Sequence, residues 1–431
     1  QRSRLLAERR QSQQAAVNAF LVRTLSAADP SNLGRDAKVI DLLAQSARGI
    51  DAEFAAEPAT AASLHGTLAS TYRSLGALDD ARRDGDRQDE IARALDGPDG
   101  PETLAAELNK AVVLRSAGHS DQAEPLARRV LDLRTRALGP SAPATLEAMN
   151  IVGNLVADLD RLEESESILR RCVQLRRDTL ETSTEISSPE TVESMLTLAV
   201  VLRARGKPAE AVALLADAVP AARRLFGPDH PNTLIAENNR ANLLMNDLEK
   251  PADAEPIFRA VDQIQTRKLG PTHQFTLGTR SNLATSLQRQ GGDAKIKEAE
   301  ELFRSCVEGS EAAVGPAAPR TLIFKNNLAN LLMDLKKHDQ ARPFLQSAYD
   351  AATTAMGPGH SISLVLERNL GRCLGTLGQF EDGERLLLDT RAKLAKGADP
   401  AEAAELDPLL VELYTAWGRP DQAARWKPGH P

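Results

Sequence analysis

The chain has 431 residues, of which 42% are hydrophobic, 26% charged and 3% aromatic, with three Cys and a formal net charge of −7. This much apolar content excludes a disordered chain, three Cys exclude a disulfide scaffold, and the acidic balance argues against nucleic acid as a partner. No stretch approaches the roughly 18 consecutive apolar residues of a membrane span, and so few rings require a core built from small aliphatic contacts.

The chain starts at Gln1 without a signal-peptide pattern, so it reads as a piece of a longer protein. Residues 1–58 read as a helical pair that caps the rest of the chain. Gln1 to about Ser26 is a polar helix with Leu and Val on one stripe, ended by Ala28-Asp29-Pro30 because Pro30 disfavours a helical residue before it. Asp36 to about Phe54 is a second amphipathic helix that buries Val39, Ile40, Leu43 and Ile50. The cluster Arg2, Arg4, Arg9 and Arg10 fits either a juxtamembrane segment or a solvated helix face.

Residues 59–427 repeat themselves, leaving 428–431 as a tail. Gly-Pro recurs at Gly97, Gly139, Gly227, Gly270, Gly315 and Gly357. Six residues after each Gly stands a hydroxyl followed by Leu: Thr103, Thr145, Thr233, Thr276, Thr321 and Ser363. Thr191 fits the same frame, a weaker repeat starts at Ala61, and a last partial one starts near Ala403. With the hydroxyl as phase zero, successive spacings from Thr103 are 42, 46, 42, 43, 45 and 42.

Three registers share this period. Phase eight is small: Ala69, Ala111, Gly153, Ala199, Ala241, Ala284, Ala329 and Gly371. Phase fifteen is Gly76, Gly118, Gly206, Gly291, Gly378 and Gly418, a helix stop. A second small residue stands near phase twenty, from Ala81 to Ala423. Apolar residues at phases one, four or five, seven, eight and eleven share one helical face. Pro at phase minus two (Pro101, Pro143, Pro189, Pro231, Pro319) suits a first helical turn, where a missing N–H costs nothing. Each repeat is therefore a helical hairpin that buries its apolar face only by stacking on neighbours. The extra residues around Glu181, near Lys250 and at Gly291-Gly292-Asp293 are expected in the turns between helices.

This register resembles the tetratricopeptide repeat in a 42-residue form, and Thr321–Leu332 and Gly227–Leu234 resemble the repeats of kinesin light chains. The resemblance covers about 59–426 and implies an all-α, right-handed superhelical solenoid of about nine antiparallel hairpins. The chain departs from the family at phase eleven, where Leu or Val replaces Tyr in all but Tyr72, and at phase seven, where Lys110 and Arg240 stand. Residues from Asn18 to Val39, followed by such an array, are similar to the region after the membrane helix in bacterial serine/threonine protein kinases. That similarity implies a sensor or scaffold segment tethered to a bacterial membrane through an upstream span, on an unassigned side.

No residue pattern supports catalysis or a cofactor: the chain lacks a P-loop, a His-Arg-Asp or Asp-Phe-Gly motif and a His-Glu-x-x-His pair. Cys172, Cys306 and Cys373 fall on core phases and read as buried small hydrophobes, with Cys172 and Cys306 too far apart to bridge. His230, His273 and His360 share one phase and read as helix-start residues rather than metal ligands.

In the family, phases two, five, six, nine, twelve and thirteen face the concave groove. Asn recurs there: Asn109, Asn239, Asn282, Asn327 and Asn369 at six, Asn154, Asn242 and Asn330 at nine, and Asn150, Asn238 and Asn326 at five. Asn is a mediocre helix former, but its amide both donates and accepts, so it can read the backbone of an extended peptide. The alternative is that these amides bond neighbouring helices. Arg73, Arg115, Arg203, Arg289, Arg368 and Arg372 outnumber Asp158 and Asp334, a net +4 that Glu147 and Glu193 at phase two reduce to +2. The expected function is thus a non-catalytic protein–protein interaction scaffold whose partner is an extended, acidic peptide. The rival is a structural self-association module without a peptide ligand.

Overall fold

The structure, a computed structural model, describes residues 39–180, 186–396 and 400–427. The expected helix Gln1–Ser26 and the insertion at Glu181 lie outside these residues. The chain divides into two compact units, Gln1–Leu225 and Phe226–Pro431, and no strand occurs among the described residues.

The N-terminal unit opens with helices Val39–Ala47 and Ile50–Glu53, so the single helix expected to reach Phe54 is interrupted at Arg48-Gly49. Leu43 and Ile50 are buried as anticipated. Hairpins come next in series: Pro58–Ser74 with Leu78–Asp96, Pro101–Ser116 with Ser120–Leu138, Pro143–Asp158 with Leu162–Leu180, and Pro189–Ala204 with the helix that begins at Pro208. In the C-terminal unit, Pro231–Asn242 continues as the π-helical turn Leu243–Asp247 and packs on Pro251–Leu269. Gln274–Gln290 pairs with Asp293–Val314, Pro319–Asp334 with His338–Met356, and Ser361–Thr376 with Phe380–Lys396. Short helices Pro400–Ala404, Asp407–Ala416 and Pro420–Ala424 close the series. Half-buried Trp417 and Trp426 pack there against Leu387 and Leu410, with Phe380 stacked on Trp417 at 5.4 Å. Serial helix pairs stacked in this way make an all-α solenoid.

The Gly-Pro loops explain the recurring hydroxyl. Gly97 and Gly139 adopt φ of 78° and 89° with ψ of 175° and 162°, a combination open essentially to glycine alone. Six residues on, the phase-zero hydroxyl donates back to that glycine's carbonyl, at 2.7 Å from Thr103, 2.9 Å from Thr145, 2.8 Å from Thr233, 2.9 Å from Thr321 and 2.8 Å from Ser363. The side chain thereby ties the new helix to the loop that precedes it. Thr276 departs from the rule, with a buried Oγ1 that has no partner.

At phase fifteen the six glycines all have positive φ. Where Gly is missing, Asp160, Glu249 and Lys336 take the left-handed conformation instead, with φ of 59°, 53° and 58°. Small residues at the helix crossings are equally constrained. A Cβ on Gly153 would lie 2.6 Å from Leu169, and one on Gly383 would lie 2.9 Å from the backbone oxygen of Gly371.

Two insertions lie inside helices, not between them. The surplus residue near Lys250 forms the π-turn, and it moves the left-handed position one residue late, to Glu249. The surplus at Gly291-Gly292 lengthens the second helix to 22 residues, against 19 in Pro251–Leu269. Both gain hydrogen-bonded backbone where a longer turn would leave groups to water.

Phase four is not apolar in six of the eight long hairpins. His65, Glu107, Glu237, Arg280, Lys325 and Glu367 stand there, and side-chain partners neutralise the charge that burial would otherwise penalise. His65 Nδ1 lies 2.7 Å from Asp84, Arg280 3.2 Å from Asp262, Lys325 2.7 Å from Glu311, and Glu367 3.0 Å from Lys393. Consecutive second helices are joined by a recurring clamp, in which Glu and an Arg four residues on meet an acid and a base of the next hairpin. Glu124 and Arg128 engage Arg161 and Glu164; Glu166 and Arg170 engage Lys207 and Glu210; Glu255 and Arg259 engage Lys295 and Glu298. Burial alone would raise the Glu166 carboxyl, but Lys207, Arg170 and Arg205 hold it at about 2. Arg259 and Lys295 hold Glu255 at about 2 as well, against burial.

Candidate functional site

The Asn set divides in two. Asn109 donates to Gln88 at 3.2 Å, Asn154 to the Asn150 carbonyl at 3.0 Å, Asn327 to Ser281 at 3.3 Å and Asn369 to Asn326 at 2.7 Å. Asn109, Asn327 and Asn369 do what the alternative reading expected and join neighbouring helices, while Asn154 bonds back within its own helix. Asn239, Asn242, Asn282 and Asn330 are half-buried, and among the described residues their side chains make no hydrogen bond. The Asn238 Oδ1 is buried without a partner.

The Arg set is also partly committed. Arg115 forms a two-pronged pair with Asp158 at 2.6 and 3.2 Å. Arg289 donates 2.9 Å to the carbonyl of Met245, which lies in the π-turn. Arg372 rests its guanidinium 3.9 Å from the Met333 sulfur, Arg368 is half-buried, and Arg203 is exposed.

The C-terminal unit adds a cavity of about 500 Å³ beside these amides. First helices Pro231–Asn242, Gln274–Gln290 and Pro319–Asp334 supply Ile235, Asn238, Phe275, Gly278, Asn282, Ile323 and Asn327 to its wall, and the second helix Pro251–Leu269 supplies Gln265 and Leu269. It brings Asn238, Asn282 and Asn327 together. Asn330 and Arg289 line an adjacent opening with Asn327, Thr285 and Asp334. Part of the cavity's apolar wall stands at phase two, where Ile235 and Ile323 flank Gly278 at repeat spacing.

Among the described residues the Cys and His side chains offer no reactive site. The three Cys are free and buried, and burial pushes Cys306 up to about 12 and Cys373 up to about 11. Neither thiol yields a thiolate near neutral pH. His230, His273 and His360 are helix N-caps, each Nδ1 accepting a backbone N–H at 3.2 Å. Among the described residues no group of three or more His, Cys, Asp or Glu could hold a metal ion, and no helix is long and apolar enough to cross a membrane.

Stacked hairpins with a glycine-stopped first helix and small crossing residues define a helical-repeat protein. The sequence matches the tetratricopeptide repeat family over residues 59–136, 108–178, 190–261 and 320–392, and a second form of the same repeat over 276–319. The chain belongs to the tetratricopeptide repeat family, whose repeats serve as protein-interaction scaffolds and are generally non-catalytic. No curated protein matches it. Among solved structures it is similar to the apo form of RapI, at 12% identity and TM-score 0.63 over 85% of this chain and 95% of that one. The apo quorum sensor NprR from B. thuringiensis gives 13% identity and TM-score 0.57 over 84% and 95%. TPR-like repeats assigned to a kinesin light chain of Podosopora anserina give 23% identity and TM-score 0.44 over 49% and 98%. These likenesses concern the fold.

Proposed function

We propose that the chain is a non-catalytic scaffold that binds an extended, acidic peptide along its first-helix face. The observation that carries this reading is the set of uncommitted amides, Asn238, Asn239, Asn242, Asn282 and Asn330, on three consecutive first helices. Such amides can pair with peptide N–H and C=O groups whatever the peptide's side chains. The Arg368 and Arg372 guanidinium groups further along the series favour acidic residues in the ligand.

The double variant Asn239→Ala with Asn282→Ala tests the site in a pull-down with acidic peptides. Each lost hydrogen bond is worth about 0.5–1.5 kcal/mol, so retention should fall about tenfold. Affinity that stays constant between low and high salt would overturn the acidic preference. A concentration-independent monomer mass by light scattering would set aside self-association. The kinase setting rests on the similarity of residues 18–39; a kinase domain and a span encoded upstream of Gln1 would bear it out, and their absence would sink it.

A further inference from the structure

We infer that the charges at phase four set the order of the array. Their signs let a hairpin stack on its own predecessor and refuse other hairpins, including those of a second copy of this chain, whatever the groove binds.

The repeating seam is too uniform to set that order. Small residues at phases eight and twenty and Leu or Val at phase eleven recur along the chain, so any two hairpins cross with nearly the same shape. Contacts in such a stack run only between neighbours, and misassembly and swapping are the characteristic failures of repeat arrays. Order therefore has to come from a position that sits inside the joint and differs between repeats. Phase four meets both conditions. It carries His65, Glu107, Glu237, Arg280, Lys325 and Glu367, and it is apolar only at Met149 and Met195. Glu107, Lys325 and Glu367 are buried, at 2%, 5% and 0% exposure.

Four of these side chains meet the second helix of the preceding hairpin, at one of two fixed places. The first place lies 14 residues upstream, where Arg93 meets Glu107 and Glu311 meets Lys325 at 2.7 Å. The second lies 18 residues upstream, where Asp262 meets Arg280 at 3.2 Å and the Tyr349 hydroxyl donates to Glu367 at 3.0 Å. At each place the two pairs have opposite polarity. On the wrong predecessor, Glu107 would face Glu311, Lys325 would face Arg93, and Glu367 would face Asp262. Like charges brought together out of water repel far more strongly than in water. The correct pairs add little stability, because desolvation offsets most of the attraction between buried charges. Pairs that contribute little when matched and cost much when mismatched select the order of stacking, not its strength. His65 opens the series in the same way. It lies between Asp51 of the segment before it, at 3.4 Å, and Asp84 of its own hairpin, at 2.7 Å.

The test unfolds the full chain in urea and refolds it over a range of chain concentrations. Light scattering and hydrogen exchange read the product, and wild type should return to one species throughout. Lys325→Glu with Glu311→Lys keeps a matched pair but gives this joint the polarity of the Arg93–Glu107 joint. Hairpin 319–356 then suits helix Leu78–Asp96, and hairpin 101–138 suits helix Asp293–Val314. The urea midpoint should stay at the wild-type value, while the fraction refolded to heavier or differently protected species should rise about tenfold or more. A pair that only stabilises its own joint predicts the opposite, clean refolding of this variant, and that result would overturn the inference. Lys325→Met with Glu311→Leu removes the charges at similar volume and should behave like the reversed pair. It decides the matter if the reversed pair does not fold, and clean refolding would again count against the inference. Failure of both variants to fold would also sink it, because stability would then depend on the native pair. Wild type that refolds to several species would show that no order is enforced.

Discussion

At phase two the N-terminal unit carries Ser63, Ala105, Glu147 and Glu193, whereas the C-terminal unit carries Ile235, Gly278, Ile323 and Val365. The N-terminal unit also has a cavity, of about 560 Å³, but small and hydroxylic side chains such as Ser63, Thr67 and Ser70 line it, with Gln88 and Asn109. Both units use small residues at the crossings, left-handed residues at the helix stops and Gly-Pro loops. Phase two touches none of these features, so the face can change chemistry while the stack beneath it stays constant. At this position one unit presents a polar, hydroxylic face and the other an apolar one.

Acid should test the shared part most severely, because both units carry clamps. The folded-state carboxyls of Glu166 and Glu255 lie at about 2, against an ordinary 4.5. Their contribution is therefore full above pH 4.5 and is lost as pH falls from there towards 2. The urea midpoint should drop across that window, and Glu166→Gln should remove part of the drop. Hydrogen exchange that loosened one unit alone would break the equivalence of the two. Next in size is a pair of glycine substitutions. Gly383→Ala in the C-terminal unit forces a Cβ to 2.9 Å from the Gly371 oxygen and should cost about 1–3 kcal/mol. Gly85→Ala in the N-terminal unit meets only the Ala69 Cβ at 3.9 Å and should stabilise by about 0.5–1 kcal/mol. Denaturant titration reads both signs. Thr233→Val removes the bond to Gly227 and should cost about 1 kcal/mol, while Thr276→Val, which removes an unpaired hydroxyl, should be near neutral or stabilising. The smallest effect is local: a bound acidic peptide should slow amide exchange in residues 231–247 and 274–290 and leave 101–116 unchanged.

Much of the fold was legible because the period repeats the same steric demands. Gly at phase fifteen, small residues at eight and twenty, and Pro at minus two each have one physical use, and the structure puts each to it. The His N-caps were legible for the same reason. Phase four was not, because the partner that lets Glu107 or Lys325 be buried lies on another helix, at Arg129 or Glu311. Nor was the fate of the surplus residues, since spacing alone counts an extra residue without saying whether a turn or a helix absorbs it. Asn positions marked the candidate face, yet whether an amide is free depends on what faces it: Asn282 is uncommitted, and Asn369 is held by Asn326.

The π-turn at Leu243–Asp247 shows how such a protein can change length without losing count. Widening one turn leaves the Met245 carbonyl without its usual amide, and Arg289, 44 residues later in the chain, supplies the replacement at 2.9 Å. Beyond the turn, Ala254 is still fully buried, so the helix after the extra residue keeps its seat. The extra residue and the arginine that accommodates it lie in different hairpins. A deletion within 243–247 would return that segment to an ordinary helix and leave Arg289 without its acceptor. Loss of Arg289 on its own would leave the widened turn unsupported. The bond couples the length of one repeat to the identity of a side chain in the next.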